Sequence, residues 1–165
     1  MFLHAYQSYI FNLILSRRTG SGMSINEAYD GDIVCFKNEM GLPDTSRLQK
    51  VTADNLDGIN NLINRGRAFV TAPLVGYKTQ FAEGHAGEIE KEVVKELNID
   101  TEGFKVTAMP ELASKGLRRE IIVPFKPEFS VGEDEKNEGK AKVVLEFSLQ
   151  KGSYATTVLR EYMKN

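Results

Sequence analysis

The feature that most constrains the fold is an alternating run near the C-terminal end of the chain. Residues 141–149 place an apolar side chain at every second position, and the positions between them are polar except for Val144. That period of two predicts a half-buried β-strand. Glu120–Phe125 is also apolar and β-branched, and Pro127 closes it. We therefore predict that these two runs are antiparallel partners and that the acidic segment between them is a solvated loop.

Other segments repeat apolar side chains at the helical period. The first runs from Phe2 to Arg17 or Arg18, the second carries Leu56, Ile59, Leu62 and Ile63, and the third spans Glu88–Asn98. Thr52 or Asp54 is the predicted N-cap of the second helix. Ser153 is the predicted N-cap of a final helix whose inner face carries Val158, Leu159 and Tyr162.

Short strands are predicted between these helices. Asp32–Lys37 follows an Asp-Gly turn, and Arg67–Thr71 is a β-prone run stopped by Pro73. Helices and strands thus come mixed, with hairpin-like and crossover connections. The predicted class is α+β.

Composition excludes several classes of protein. The chain has 165 residues, 41% of them apolar, which is enough to bury a core. One cysteine forbids an internal disulfide and a Cys-rich zinc site, and two histidines make a multi-histidine metal site improbable. No membrane span or signal peptide is predicted, and the single cysteine indicates a reducing compartment, so we expect a cytoplasmic protein.

The distribution of charge matters more than its sum. Net charge is −2, but Glu83–Glu102 carries −5 and Glu133–Glu138 carries −3, so the remainder carries +6. A basic remainder of this kind is compatible with nucleic acid binding.

Candidate catalytic groups have ordinary structural explanations. His4 lies in an apolar helix, and His85 lies in a segment typical of a helix start, without a nucleophile elbow near either. Asp30 and Asp32 flank a turn glycine, and Cys35 lies in the middle of a predicted strand, where buried packing is expected.

Basic residues are the better candidates, as contacts to an RNA backbone. They occur at Arg17-Arg18, around Gly66 as Arg65 and Arg67, and at Arg118-Arg119. Lys151 precedes the predicted final helix, whose free amides suit a phosphate. The predicted RNA-binding set is Arg17, Arg18, Arg118, Arg119, Lys151 and Arg160.

Several stretches together resemble the TruD family of tRNA pseudouridine synthases. His4–Asn12 followed by Leu15-Ser-Arg17 looks like the opening of the later half of that family. Ala72-Pro-Leu-Val-Gly76 is similar to its Gly-Pro-Leu-x-Gly turn, departing at Ala72. Gly116–Arg119 and then Phe147–Glu161 are similar to its closing strand-turn-helix. These matches follow the family order over nearly the whole chain.

The resemblance implies an enzyme that isomerises uridine to pseudouridine in tRNA without a metal or organic cofactor. It also implies an inserted mixed α/β domain within an antiparallel-sheet catalytic domain. The predicted division places residues 1–20 and 117–165 in the catalytic domain and residues 21–116 in the insertion. Residues expected to support the substrate pocket are Gln7, Ser8, Asn12 and Tyr154; packing of the first helix is an equal alternative for the first three.

The family's nucleophile is an aspartate in a Gly-x-Lys-Asp-type segment, and no such segment occurs in these 165 residues. We therefore expect the nucleophile upstream of this chain and no activity from the chain alone. Two alternatives stay open: a non-catalytic RNA-binding module, and a protein-interaction domain that self-associates through surfaces left uncovered.

Overall fold

The computed structural model describes residues 2–106, 113–149 and 153–164. Two compact units divide the chain, Met1–Ile122 and Val123–Asn165, called here the first and second units. The helices are α1 (Phe2–Gly20), α2 (Leu56–Asn64), α3 (Gly84–Glu96) and α4 (Ala155–Met163), with a 3₁₀ helix at Thr101–Phe104. The strands are β1 (Ile33–Lys37), β2 (Pro43–Lys50), β3 (Ala68–Leu74), β4 (Leu117–Glu120), β5 (Glu128–Glu133) and β6 (Ala141–Glu146). The predicted α+β class is confirmed.

An antiparallel sheet of four strands in the order β2-β1-β3-β4 organises the first unit. One buried cluster joins α1 and α3 to the end of β3, through residues such as Ile10, Ile14 and Val93. A second joins α2 to β1 and β3, through residues such as Ile59 and Val70. The apolar stripes predicted for α2 and α3 face these clusters, whereas α1 contributes Ile10 and Ile14 and leaves the predicted stripe residues Tyr6 and Tyr9 exposed.

The predicted start of the second helix is wrong in detail. Neither Thr52 nor Asp54 is the N-cap of α2; Asn55 occupies that position and makes no side-chain cap hydrogen bond. Instead the Asn55 side-chain oxygen accepts a hydrogen bond from the Thr52 amide at 2.9 Å. The side chain thus closes a local turn before the helix begins.

Pro73 does not stop β3, contrary to the prediction. Strand β1 pairs with residues 68–70 of β3, whereas β4 pairs with residues 71–74. Pro73 therefore lies where only one neighbouring strand pairs, and a proline is tolerated there because its missing N–H is not needed for a second ladder. Strand β2 was not predicted, since its largely polar sequence carries little apolar alternation.

The predicted pairing near the C-terminal end is also wrong. Strand β4 ends at Glu120 and pairs with β3, and the partner of β6 is β5, which lies inside the segment predicted as a loop. Phe129 and Val131 alternate with polar residues and stand opposite Leu145 and Val143. That alternation, hidden among the acidic residues, provides the matching face of the hairpin.

The final helix of the second unit begins later than predicted. Its N-cap is Tyr154 rather than Ser153, and Tyr154 makes no side-chain cap hydrogen bond. Val158 and Leu159 are half-buried, whereas Tyr162 keeps 50% of its surface exposed. Its ring packs edge-on against Phe125, with centroids 6.3 Å apart, and Phe125 also packs against Phe147 at 5.8 Å.

No helix in the described part of the chain is long and apolar enough to cross a membrane.

Candidate functional site

One buried amide connects three separate segments of the first unit. Gln7 lies on the inner face of α1 with 4% of its surface exposed. Its side-chain nitrogen donates to the Val75 carbonyl and to the Ser114 hydroxyl, each at 2.7 Å. A buried amide without such partners would be costly, so the contacts fix the position of α1 against both loops. Gln7 thus has a bracing role in this structure, and contact with a substrate stays a prediction.

The two loops that Gln7 joins also meet at a pair of glycines. A Cβ atom on Gly76 would lie 2.2 Å from the Gly116 nitrogen and 2.3 Å from the Ser114 carbonyl oxygen. Gly116 has φ +80°, a left-handed conformation that favours glycine. Only backbones without side chains can approach so closely. We call this group the motif junction; its members are Gln7, Val75, Gly76, Ser114 and Gly116. They lie in, or within two positions of, three stretches that resemble family motifs, residues 4–12, 72–76 and 116–119.

Exposed aromatic groups lie on the helix that enters the motif junction. Tyr6 and Tyr9 are 42% and 51% exposed, and their rings lie 6.5 Å apart at an interplanar angle of 18°. Ser8 donates its hydroxyl proton to the His4 carbonyl within α1 at 2.8 Å, and Asn12 is exposed. The roles predicted for Ser8 and Asn12 therefore stay predictions, with the Asn12 amide accessible and the Ser8 donor used inside the helix.

Two exposed lysines flank the same junction. The Lys78 amide donates to the Lys115 carbonyl at 2.8 Å, directly beside the Tyr77–Ser114 backbone hydrogen bond. Neither lysine belongs to an ion pair within the described residues. Neither lysine was predicted to be a site residue, because their closeness depends on two loops that are 37 positions apart in the chain.

Arg18 was predicted to contact RNA, but the structure places it in the interior. It is 5% exposed and forms a bidentate pair with Asp32, with both N–O distances 2.8 Å. It also donates to the Ser24 and Glu27 carbonyls and lies 5.5 Å from the centre of the Tyr29 ring. Each of its three guanidinium nitrogens donates within this unit, and the side chain is buried, so its charge is not available to a surface phosphate.

Arg118 has an equivalent position on β4. It is 2% exposed and donates to both carboxylate oxygens of Glu90, at 2.7 and 3.2 Å. It also donates to the hydroxyl and the carbonyl of Thr71 and to the Gln80 carbonyl. The Thr71 hydroxyl in turn donates to the Ile33 carbonyl at 2.7 Å. The prediction of a phosphate contact is corrected to a buried network that joins β1, β3, β4 and α3.

The other predicted cations lie in different environments. Arg17 is exposed and pairs with Glu96 in a bidentate contact, and this hydrogen bond raises the pKa of Arg17 and lowers that of Glu96. Arg119 is half-buried on β4, and Arg160 is exposed on α4. RNA contact by these three residues stays a prediction, as does pocket support by Tyr154, which is 68% exposed. Lys151 lies outside the described residues.

Buried acidic and thiol groups complete the interior. Cys35 is fully buried, as predicted, and burial raises the pKa of its thiol to about 12, with the charge of Glu120 adding to the effect. Burial also raises the pKa of the Glu120 carboxyl. Among the described residues, no group of three potential metal ligands is found. Cys35 is thus a packing residue and not a reactive thiolate.

Sequence reasoning missed the partners that fix the buried arginines. Asp32 was interpreted as part of a turn, and Glu90 as part of the polar face of an amphipathic helix. Each is more than nine-tenths buried. A helical projection does hold one signal, because Glu90 neighbours the apolar Ile89 and Val93 on α3. It does not identify the partner, which is 28 positions away in the chain.

The similarity of this chain to known proteins covers the stretches whose residues form the motif junction. A family model described as tRNA pseudouridine synthase D (TruD) matches residues 1–162. A Methanococcoides burtonii protein named "Probable tRNA pseudouridine synthase D" is 63% identical over 99% of this chain, and a Methanosarcina acetivorans protein of the same name is 61% identical. The chain spans 37% of the length of each of these relatives.

A solved structure agrees with the fold as well. The crystal structure of a Methanosarcina mazei protein assigned to tRNA pseudouridine synthase D (TruD) superposes with a TM-score of 0.83 and 59% sequence identity. The match covers 98% of this chain and 37% of that chain. The similarity therefore extends over both the sequence and the fold of these 165 residues.

Proposed function

The chain belongs to the TruD family of tRNA pseudouridine synthases, and we propose on that basis that it is part of an enzyme converting uridine to pseudouridine in tRNA. The single observation that carries the proposal is the family match over residues 1–162. The motif junction supports it, because its buried contacts join stretches that resemble separate family motifs.

The proposed contribution of this chain is scaffold and RNA contact. Gln7 and the glycine pair hold α1 against the two loops, and the exposed pair Tyr6 and Tyr9 offers aromatic faces on which an unpaired base can stack. Lys78 and Lys115 provide charge for phosphates beside them. Arg17, Arg119 and Arg160 remain in the proposed set of phosphate contacts, whereas Arg18 and Arg118 do not.

The reaction that the family implies is an isomerisation. The target uridine leaves the base stack, its glycosidic bond to N1 breaks, the uracil turns, and carbon 5 bonds to the ribose. An aspartate forms a covalent adduct in the process. Because the Gly-x-Lys-Asp-type segment has no match in this sequence, we propose that another part of the enzyme supplies the nucleophile. The division into residues 1–20, 21–116 and 117–165 is part of the same proposal.

Tritium release from tRNA labelled at uracil carbon 5 tests the activity, because the hydrogen at that carbon is lost when pseudouridine forms. The full enzyme that contains this chain is expected to release tritium, and these 165 residues alone are not. Release by the chain alone would contradict the proposed position of the nucleophile. No release from the full enzyme, with tRNA from the same organism, would contradict the function itself.

A salt titration separates this proposal from a protein-interaction domain. For an RNA-binding protein, the logarithm of the tRNA affinity falls linearly with the logarithm of the salt concentration. Absence of tRNA binding by the full enzyme at low salt would exclude both an RNA-modifying and an RNA-binding role. Binding with a clear salt slope but without tritium release would favour the non-catalytic RNA-binding alternative.

A further inference from the structure

Three exposed cations of the first unit lie on adjacent segments at the end of the sheet opposite the motif junction. Strand β1 ends at Lys37, and Phe36 is registered with Ala68 of β3. The next pair outward is Lys37 and Arg67, joined by a hydrogen bond from the Lys37 amide to the Arg67 carbonyl at 2.9 Å. Arg65 is two positions away, at the C-cap of α2. All three side chains are exposed, and we call them the basic cluster.

This arrangement has a cost within the fold. Side chains directly opposite each other on antiparallel strands have Cβ atoms about 5 Å apart, and like charges in that position repel. The negative end of α2 attracts cations, but a helix terminus is equivalent to only about half an elementary charge. It therefore compensates a part of one charge and leaves most of the three uncompensated.

No carboxylate in the described residues forms an ion pair with the basic cluster. The nearby acids are Glu39, two positions after Lys37, and Asp44, opposite Phe36. The Ser46 hydroxyl and amide bind the Asp44 carboxylate at 2.6 and 3.0 Å. By contrast, Lys50 on the same sheet pairs with Glu83. The basic cluster is thus a local excess of exposed positive charge that forms no ion pair among the described residues.

The chemistry of the cluster fits a phosphodiester backbone. Two guanidinium forks and one ammonium group supply bidentate and point contacts to phosphate oxygens. Among the described residues, no exposed aromatic side chain lies within the cluster's segments, 36–38 and 65–68, so base stacking is not provided there. We propose that Lys37, Arg65 and Arg67 form a second RNA-contact site, which binds the phosphate backbone of the tRNA away from the motif junction.

The separation of the two sites follows from the strand between them. Arg67 immediately precedes β3 and Val75 immediately follows it. A strand rises about 3.3 Å per residue, which places the basic cluster about 25 Å from the motif junction. A folded RNA can span this distance, whereas a single nucleotide cannot. The inference rests on the proposed function for the identity of the RNA, and it assigns RNA contact to the middle segment of the chain.

The test compares two triple variants of the full enzyme that remove the same charge. The first is Lys37→Gln, Arg65→Gln and Arg67→Gln. The control is Lys50→Gln, Lys91→Gln and Lys95→Gln, which changes exposed lysines of the same unit. Each phosphate contact contributes about 0.7 to 0.9 to the slope of log affinity against log salt. We expect the cluster variant to reduce the steepness of that slope by about 2 and to weaken tRNA binding at least tenfold. The control variant should leave both the slope and the affinity unchanged.

Tritium release gives a second readout. The cluster variant is expected to raise KM for tRNA and to leave kcat at saturating tRNA unchanged, since the cluster lies away from the proposed reacting base. Its melting temperature should be unchanged or slightly higher, because a like-charge pair is removed. An equal loss of tRNA affinity in both variants, or no loss in the cluster variant, would overturn the inference.

Failure of this inference differs from failure of the proposed function. A wild-type enzyme that releases tritium, with a cluster variant that keeps the wild-type salt slope, refutes the second site alone. A wild-type enzyme that binds tRNA through the cluster but releases no tritium refutes the function alone.

Polyglutamate, an acidic peptide, tests whether the basic cluster binds a protein instead of RNA. Loss of its binding in the cluster variant, with tRNA affinity retained, would show that the site takes an acidic peptide and not RNA.

Discussion

The two units of this chain differ in where their polar groups lie. The first unit buries two bidentate ion pairs, Arg18–Asp32 and Arg118–Glu90, within a core built on four strands. In the described residues of the second unit, no side chain is buried, and its hairpin exposes Phe129 and Val131 by 74% and 66%. The first unit is therefore held by tertiary contacts of its own, whereas the second depends on local strand pairing and a small aromatic contact.

The burial of polar groups in the first unit determines which substitutions the chain should tolerate. A buried charge tolerates no loss of its partner, because the remaining group is left without water or a counterion. Replacing an exposed charge or ring changes the free energy of unfolding little, because solvent takes the place of the side chain. Substitutions at the buried positions of the first unit are thus expected to act on folding, and substitutions in the hairpin on association.

The largest effect is expected from separating Arg118 and Glu90. Arg118→Met leaves a buried carboxylate without its cation, and the free energy of unfolding should fall by about 3–5 kcal/mol. The double variant Arg118→Met, Glu90→Leu removes both charges and should recover most of that loss. Urea denaturation followed by circular dichroism measures both. Arg17→Met, which breaks the exposed pair with Glu96, is the control and should change little. Equal losses in the single and double variants would show that packing, not charge, explains the effect.

A smaller effect is expected at the glycine pair of the motif junction. Gly76→Ala places a Cβ against two backbone groups that cannot move as a side chain would, and overpacking of this kind costs about 1–3 kcal/mol. Gly58→Ala is the matched control, because it lies within α2 with nothing within 4 Å of the added Cβ. It should stabilise the protein by about 0.5–1 kcal/mol, since alanine is favoured in a helix interior. We expect the urea midpoint to fall in Gly76→Ala and to rise in Gly58→Ala. A rise in both variants would contradict the close approach at Gly76.

Glu120 should make the stability of the first unit depend on pH. Burial raises the pKa of its carboxyl above the ordinary value for a glutamic acid, so the folded state favours the protonated form. The folded state gains stability because it binds the Glu120 proton more tightly than the unfolded state does. This gain is fully present below the unfolded pKa and is lost as the pH rises through the folded pKa. Glu120→Gln should therefore be more stable than the wild type at about pH 7, with the difference disappearing as the pH falls below the unfolded glutamate pKa of about 4.3.

The exposed carboxylate Glu96 gives the opposite sign and serves as the control. Its pKa is lowered by the hydrogen bond from Arg17, so its contribution is present above the unfolded pKa and lost as pH falls through the folded pKa. Glu96→Gln should thus be slightly less stable than the wild type at neutral pH. Urea midpoints measured across the acidic range compare the two variants. A Glu120→Gln difference that does not change with pH would contradict the burial of this carboxyl.

Local patterns predicted what local physics determines. The apolar stripes of α2 and α3 are visible in the sequence because a helix must bury one face, and the interior position of Cys35 follows from its neighbours in a strand. The pairing of β6 was predicted wrongly because Glu120–Phe125 is more apolar than β5. Sequence alone does not report which strand has a free edge. The Arg118–Glu90 pair was missed for a related reason, since an arginine beside another arginine looks like a surface feature until the helix opposite it is known.

The smallest effect on stability, and a clear effect on association, is expected in the hairpin. Phe129 stands opposite Leu145 with most of its ring exposed, so Phe129→Ser should lower the free energy of unfolding by at most about 1 kcal/mol. If the exposed apolar residues of the hairpin mediate the predicted self-association, the same change should lower the average mass of the 165-residue chain in sedimentation equilibrium. Glu133→Ser, an exposed polar position on the same strand, is the control and should leave the mass unchanged. A wild-type chain that sediments as a monomer at every concentration would contradict self-association, and an equal decrease in both variants would show that the apolar face is not its cause.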